Sequence, residues 1–405
     1  MEQEIHPSVF GAEALMETYS GNIILFGPDA LAQLGEELFL SDRKTILLVM
    51  GGASARIPLR MILGSPVFRK PGLNMPRHEN VPPEPDTECV RAIVRTMERE
   101  QPDAVLAVGG GSVMDAAKAA YLSWQTGLDI DDLFGVNVAS TRFPERKFQR
   151  ICAMPTTAGT GSEVTPYSNI IDARTGVKKL LMDPVIIPEA AAVIPELTLT
   201  APEKLTRETG FDALVHSIES FLNFKAMAAH PEAEPWAPEA IRLIVRALPA
   251  ALRNPGDTEA RTRLSAAATL AGMAIRTSPT SLPHLLSYSF CGKASHGDAV
   301  AALLPHFWRF YLAEPEVRER TMRLAPFFPG NTPEEVIDSY CAFLRSCGGE
   351  TDPGRLAQTG AEMIDKLAED ALLNPVKLTG APRSVTPENC RAVFHEVLDP
   401  VWMRS

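Results

Sequence analysis

The chain is poor in cysteine and has no cysteine pattern. Six cysteines in 405 residues (Cys89, Cys152, Cys291, Cys341, Cys347, Cys390) lie scattered with no CxxC pair, which excludes a disulfide framework and a zinc ribbon. It has no excess of basic charge. The formal net charge of −11 argues against nucleic acid and anionic membrane surfaces as main partners, though an anionic small substrate can still sit in a locally basic pocket. No apolar run reaches the roughly 18 residues that a membrane span needs. MEQEIHPSVFGAE lacks a basic n-region and an apolar h-region, so no signal peptide is expected and the protein reads as cytoplasmic. There is no short-period repeat. What the chain does have is a 45% apolar fraction, enough for a substantial core, over a length that suggests two or three domains.

The first half alternates between two periodicities. GNIILFG, KTILLVMGG, DAVLAVGGG and RICAMPTT read as short buried strands, and the last three run into glycine or hydroxyl residues. Between them ALAQLGEELFL, DTECVRAIVRTMERE and SVMDAAKAAYLSW have helical spacing. This order predicts a parallel sheet with helices on both faces. Beyond about Leu197 every periodic stretch is helical, from APEKLTRETGFDALVHSIESFL to TPENCRAVFHEVL. Thr332-Pro333-Glu334-Glu335 is a capping box with proline at the first helical position. The fold class is therefore an N-terminal α/β domain on a parallel sheet, 1–196, followed by an all-α domain, 197–405. The boundary falls near Pro195–Ala201. The proline-rich stretches 76–85 and 228–238 read as loops.

Three motifs carry chemistry. Gly109-Gly110-Gly111-Ser112 follows a strand and opens a helix, with Asp115 and Lys118 on its first turns. Glycines let a phosphate approach the backbone, and a helix N-terminus offers unpaired N–H donors. The turn is neither a Walker loop nor GxGxxG, and by itself it also suits a plain tight connection. Pro155-Thr156-Thr157-Ala158-Gly159-Thr160-Gly161-Ser162-Glu163 is a loop of small and hydroxyl residues that could lie flat against a ligand. Asp212 and His216 stand at i,i+4 on a predicted helix, one above the other. Alone, such a pair is more often a surface contact than a metal site. With His284 and His296 downstream it makes one carboxylate and three imidazoles, a set that suits a divalent transition metal with room for a substrate oxygen.

Taken together, GGGSVMDAAK, PTTAGTGSEVT, Lys178, GFDALVHSIES and the H…HG…LLP run resemble the iron-containing (group III) alcohol dehydrogenases. Order and spacing match over roughly Ile23 to Leu398. The resemblance implies a dehydroquinate synthase-like fold, with a Rossmann-like dinucleotide-binding N-terminal domain, a helical C-terminal domain and the active site in the cleft between them. It implies Asp212, His216, His284 and His296 as ligands of one Fe2+ or Zn2+. It places Gly109, Gly110, Gly111, Ser112 and Asp115 at the pyrophosphate turn, Thr156, Thr157 and Thr160 along the cofactor, and Lys178 near ribose and nicotinamide. It also implies a small-molecule aldehyde or alcohol substrate and a homodimer. Two features depart from the common pattern. Tyr288 stands where many members have a second histidine, which leaves the proton-relay role to Tyr288 or to water. The interval from His284 to His296 is about two residues shorter than usual. His6, His78, His230 and His395 read as surface or structural, and His306, after LLP at a helix start, as packing.

NADP(H) is expected over NAD(H). After the second strand the chain continues Gly51-Gly52-Ala53-Ser54-Ala55-Arg56, with no acid to bond a ribose 2′-OH and with Ser54 and Arg56 available to a 2′-phosphate. The His284-Leu-Leu-Ser-Tyr288 pattern with its shortened loop resembles the branch of the family that reduces phosphonoacetaldehyde to 2-hydroxyethylphosphonate. That substrate needs a cation for its phosphonate, and Lys293 or Arg276 is the expected one. The alternatives are a broad-specificity aldehyde reductase with an apolar pocket formed by Phe290 and Leu282, and a dehydrogenase acting on a natural-product aldehyde. More distant are a dehydroquinate synthase-like lyase, which lacks the GGGSxxD and PTTAGTGSE pair, and a non-catalytic nucleotide binder, which would not need four intact metal ligands.

Overall fold

A computed structural model of the protein describes residues 9–38, 44–52, 55–357 and 362–402. They form two compact units. The first holds the chain up to Ala201 together with Gly256–Gly272, and the second holds Pro202–Pro255 and the chain from Met273 onward.

The first unit is built on nine strands: β1 (Ile23–Phe26), β2 (Ile46–Met50), β3 (Arg77–His78), β4 (Ala104–Gly109), β5 (Gly135–Val136), β6 (Arg150–Pro155), β7 (Tyr167–Ile171), β8 (Lys178–Met182) and β9 (Ala190–Val193). Six make one parallel sheet in the order β1-β9-β6-β4-β2-β3. The remaining three make a small sheet in the order β5-β8-β7. Alternate residues of the central strands fill opposite faces. Leu47, Val49, Val105, Ala107, Ile151 and Ala153 pack with Val90, Ile93 and Met97 of the Thr87–Glu100 helix and with the alanine-rich Gly111–Thr126 helix. Ile46, Leu48, Met50, Leu106, Val108 and Met154 pack with Leu31 and Leu34 of the Ala30–Leu38 helix and with Ile62 of the Arg56–Gly64 helix. Both faces are covered, which is why β2, β4 and β6 are continuous apolar runs.

The topology makes a crevice. From β2 the chain goes outward to β3, whereas from β4 it moves the opposite way, to β6. The two connections leave by opposite faces, so the carboxyl ends of β2 and β4 flank a topological switch point, the usual place for a ligand in such sheets. The strands end level with one another: Met50 pairs with Val108, and Gly109 with Pro155.

Gly256–Gly272 joins the first unit through small residues. Gly161 has φ +60°, and a Cβ there would meet the Gly272 Cα at 2.4 Å, so only glycine admits this approach. Thr269 Oγ1 donates to Glu163 at 2.9 Å beside it.

In the second unit every described element is helical. Its centre is the Glu203–Leu222 helix, buried continuously from Gly210 to Leu222. It packs against the Trp236–Arg253 and His296–Tyr311 helices. Gly210 admits Leu248 of the first, and Gly297 abuts the Glu208 carbonyl at the start of the second.

Candidate functional site

A helix buried on all sides is normally apolar. The Glu203–Leu222 helix instead carries Asp212, His216, Ser217, Glu219 and Ser220 through its buried stretch. Such groups are costly without partners. Asp212, His216 and Glu219 stand at i, i+4 and i+7, one stripe of the helix. His284 comes from the short Leu282–Ser287 helix, and His296 is the first residue of the His296–Tyr311 helix. All three imidazoles turn an Nε2 toward one oxygen. His296 lies 3.3 Å, His284 3.4 Å and His216 3.6 Å from Asp212 Oδ1. Ligand atoms of Asp212, His284 and His296 all lie within 4.8 Å of one another, a group able to hold a metal ion. Asp212 Oδ1 and His284 Nε2 have no hydrogen-bond partner although buried. A cation among them would satisfy these atoms, so the donor set fits a divalent transition metal.

The rings are held from behind. His284 Nδ1 bonds Glu219, whose other oxygen accepts from the Ser281 N–H at 2.8 Å and the Ser281 hydroxyl at 2.9 Å. The Ser287 hydroxyl donates to the His284 carbonyl at 2.7 Å and so accepts from His296 Nδ1 at 3.1 Å. Both bonds put the ring proton on Nδ1 and leave the Nε2 lone pair facing Asp212, the tautomer a metal ligand needs. Arg207 clamps Asp298 with two bonds of 3.4 and 3.1 Å, and Ser295 caps the helix through the Asp298 N–H at 3.2 Å. The helix start that carries His296 is thereby fixed to the Asp212 helix. Burial would raise the Asp212 carboxyl, but the surrounding imidazoles outweigh it and hold it well below the usual carboxylate range. Burial drives His216 down to about 3, leaving a neutral ring. Burial opposes charge on His284, but Glu219 with Asp212 overcomes it and raises its pKa, so a bound cation would displace a proton from Nε2.

Sequence reasoning missed Glu219. Its signal was available, since it continues the Asp212–His216 stripe by one further turn. The Tyr288 ring stacks beside His296, with centroids 6.4 Å apart at 25°. Its hydroxyl accepts from Lys377, 3.1 Å away, and Lys377 lies 89 residues later in the chain. The two cations expected from sequence are placed differently. Lys293 is exposed and lies against Met363 Sδ at 3.3 Å, and Arg276 is half-buried in the last turn of the Thr258–Thr277 helix. Phe290 and Leu282 are fully buried. His306 does not start a helix. It sits inside His296–Tyr311, just after Pro305, and bonds the Thr351 carbonyl at 3.0 Å. His78 meets Thr96, His230 meets Glu232, and His395 meets Asp365 and Asp399. His6 lies outside the described residues.

In the first unit the glycine turn faces the hydroxyl loop. Gly110 precedes the Gly111–Thr126 helix and supplies no side-chain cap, so the first N–H groups keep their capacity for an anion. A Cβ on Gly110 would meet Thr157 at 3.1 Å, and one on Gly111 would meet Thr160 at 2.5 Å. Thr156 N–H donates to the Gly109 carbonyl at 3.0 Å. The glycines therefore let β4 and β6 bring their loops together, as a dinucleotide cradle requires. Ser112 Oγ accepts from the Glu84 N–H at 3.2 Å, and Lys178, at the start of β8, reaches Glu84 at 3.4 Å. The Asp115 carboxylate accepts from the Ser162 hydroxyl at 2.8 Å and the Asn169 N–H at 2.9 Å. Lys118, on the same helix, is fully buried, and its ammonium lies within hydrogen-bond reach of Ser162 Oγ at 2.9 Å, the Thr165 carbonyl at 2.8 Å, the Tyr167 carbonyl at 3.2 Å and the Ser162 carbonyl, sharing its three donors among them, so it ties the loop together rather than facing a ligand. Gly51 and Gly52 follow β2, Arg56 is exposed at the next helix, and Ser54 lies outside the described residues.

Comparison with known proteins follows the same division. The family model for iron-containing alcohol dehydrogenase matches residues 21–195, and that for the C-terminal part of the Fe-containing alcohol dehydrogenase family matches residues 206–398. An NADPH-dependent butanol dehydrogenase of Clostridium saccharobutylicum is 32% identical over 387 residues, 92% of this chain and 95% of that protein. The structure of an alcohol dehydrogenase from Oenococcus oeni superposes with a TM-score of 0.81 at 26% identity, covering 93% of this chain and 98% of that one. A sulfoacetaldehyde reductase from Bifidobacterium kashiwanohense, solved with NAD+, gives a TM-score of 0.76 at 25% identity over 94% of this chain and 98% of that one.

Proposed function

This chain belongs to the iron-containing alcohol dehydrogenase family, and from that premise we propose that it reduces a short anionic aldehyde, phosphonoacetaldehyde, to 2-hydroxyethylphosphonate with NADPH. The observation that carries the chemistry is the convergence of three Nε2 atoms on the buried Asp212 oxygen. We assign Asp212, His216, His284 and His296 as ligands of one Fe2+ or Zn2+. Bound together, the cation supplies Lewis acidity to the aldehyde oxygen and the reduced nicotinamide supplies a hydride to its carbon.

The chain's own groups do the rest. Glu219 and Ser287 fix the ring orientation of His284 and His296. Asp212, His216 and His284 are buried away from water, and His296 is the part-exposed member of the set. Tyr288, stacked on His296, is the group we assign to pass a proton to the product oxygen, with Lys377 holding its phenol. Gly110, Gly111 and Ser112 receive the pyrophosphate. Thr156, Thr157 and Thr160 line the cofactor, and Lys178 stands toward ribose and nicotinamide. Asp115 supports this turn through Ser162 and Asn169 rather than through the cofactor.

The absence of an acid in Gly51–Arg56 supports NADPH, and the relative at 32% identity is named for that cofactor. The HxxSY pattern and the likeness to a sulfoacetaldehyde reductase support an aldehyde with an anionic tail. Metal analysis together with NADPH oxidation over a panel of aldehydes tests the reading. Stoichiometric iron or zinc, with turnover abolished by chelator and restored by metal, is expected. Turnover indifferent to metal removal would overturn it.

A further inference from the structure

Lys377 sits in the short Pro375–Thr379 helix and is half-buried. Its ammonium donates to the Tyr288 hydroxyl at 3.1 Å and to Thr280 Oγ1 at 3.4 Å, and it lies 5.2 Å from the Tyr288 ring centroid. Among the described residues no carboxylate pairs with it, although the chain carries eleven more negative than positive charges. Most other half-buried cations of this unit are matched: Arg207 by Asp298, Arg242 by Glu239, Arg320 by Glu234. An ammonium has three donors, and two neutral hydroxyls occupy two of them. Thr280 is buried and accepts from Lys377, so its own hydroxyl hydrogen requires an acceptor, and none lies among the described residues. The result is a pair of donors, Lys377 and Thr280, with no carboxylate partner among the described residues. It adjoins the metal-ligand group on two sides. Tyr288 stacks on His296, and Thr280 precedes Ser281, which bonds the Glu219 behind His284.

We propose that Lys377, with the hydroxyl of Thr280, is the subsite for the anionic group of the substrate aldehyde, beside the Tyr288 hydroxyl that serves the product oxygen. The ligand chemistry is a tetrahedral oxyanion carried on a short aldehyde, as in a phosphonate or a sulfonate. Such a group supplies acceptors for the remaining ammonium donor and the Thr280 hydroxyl, and its charge offsets that of the lysine. The proposal rests on the aldehyde-reductase reading and replaces Lys293 and Arg276 as the specificity cation.

The test uses the metal-loaded enzyme with NADPH. Wild type, Lys377→Met, Lys377→Arg and Thr280→Val are assayed with phosphonoacetaldehyde, sulfoacetaldehyde and propanal, and with methylphosphonate as inhibitor of propanal reduction. The kcat/KM ratio of the preferred anionic aldehyde to propanal is expected to fall about tenfold or more in Lys377→Met, mainly through KM. Lys377→Arg is expected to recover most of it, and Thr280→Val to lose less. Methylphosphonate should compete in wild type and weaken as an inhibitor in Lys377→Met. Should that variant fail to fold, the Thr280→Val ratio and methylphosphonate competition in wild type decide. An unchanged ratio in Lys377→Met overturns the subsite while leaving phosphonoacetaldehyde reduction standing if wild type performs it. Preference for sulfoacetaldehyde, lost in Lys377→Met, overturns the phosphonate assignment and supports the subsite. A wild type that uses neither anionic aldehyde and ignores methylphosphonate overturns both.

Discussion

Removal of one imidazole should separate metal binding from folding. His216→Ala deletes a proposed ligand whose Nδ1 makes no hydrogen bond to the protein, so few other contacts are lost. The purified variant is expected to keep its circular dichroism and lose its bound metal; full metal content would show that His216 is not a ligand. Glu219→Gln keeps the shape behind His284 but removes the charge. Metal affinity should fall about 10–100-fold, read by competition with a chromogenic chelator. Unchanged affinity would mean that Glu219 only packs. At this scale legibility followed helical spacing. Asp212 and His216 could be paired from sequence because four residues make a helical neighbour. Glu219 obeyed the same rule one turn later. Tyr288 was visible as a substitution, but Lys377 was not, since no periodicity connects residues 89 apart.

The elements carry the next constraint, because the four proposed ligands sit on three separate segments. Gly297 lies where the His296 helix meets the Asp212 helix, and a Cβ there would stand 1.9 Å from the Glu208 carbonyl oxygen. That atom is backbone and cannot swing aside. Gly297→Ala should cost about 1–3 kcal/mol in urea unfolding and lower metal retention by moving His296. A variant as stable as wild type and fully metallated would show that the two helices do not meet there. The buried strands β2, β4 and β6 were readable as apolar runs ending in turn residues. Strand β9, with Ala190, Ala191 and Ala192, was not, since alanine carries no strand preference and its burial comes from neighbours on both sides. The small β5-β8-β7 sheet, which carries Lys178, was equally hidden: β5 has two residues and β8 opens on two lysines. The Thr258–Thr277 helix was readable as a helix, but not the approach of its Gly272 to Gly161, a contact between two residues without side chains.

At the scale of the whole molecule, an acidic chain would handle anionic ligands in two local places, the glycine turn in one unit and the Lys377 cluster in the other. Cofactor choice belongs to the first. With no acid between Gly51 and Arg56, kcat/KM for NADPH should exceed that for NADH by about tenfold or more under a fixed aldehyde; equal values would remove the preference. No helix among the described residues is long and apolar enough to cross a membrane. A homodimer is the expected assembly, and a monomer by light scattering at micromolar concentration would contradict it. Substrate choice is the centre of the account and the part on which the alternatives differ most. It is tested directly by kcat/KM for phosphonoacetaldehyde against propanal and butanal, with metal-loaded enzyme and saturating NADPH. A preference of about tenfold or more for phosphonoacetaldehyde is predicted, and a preference for the uncharged aldehydes would contradict it.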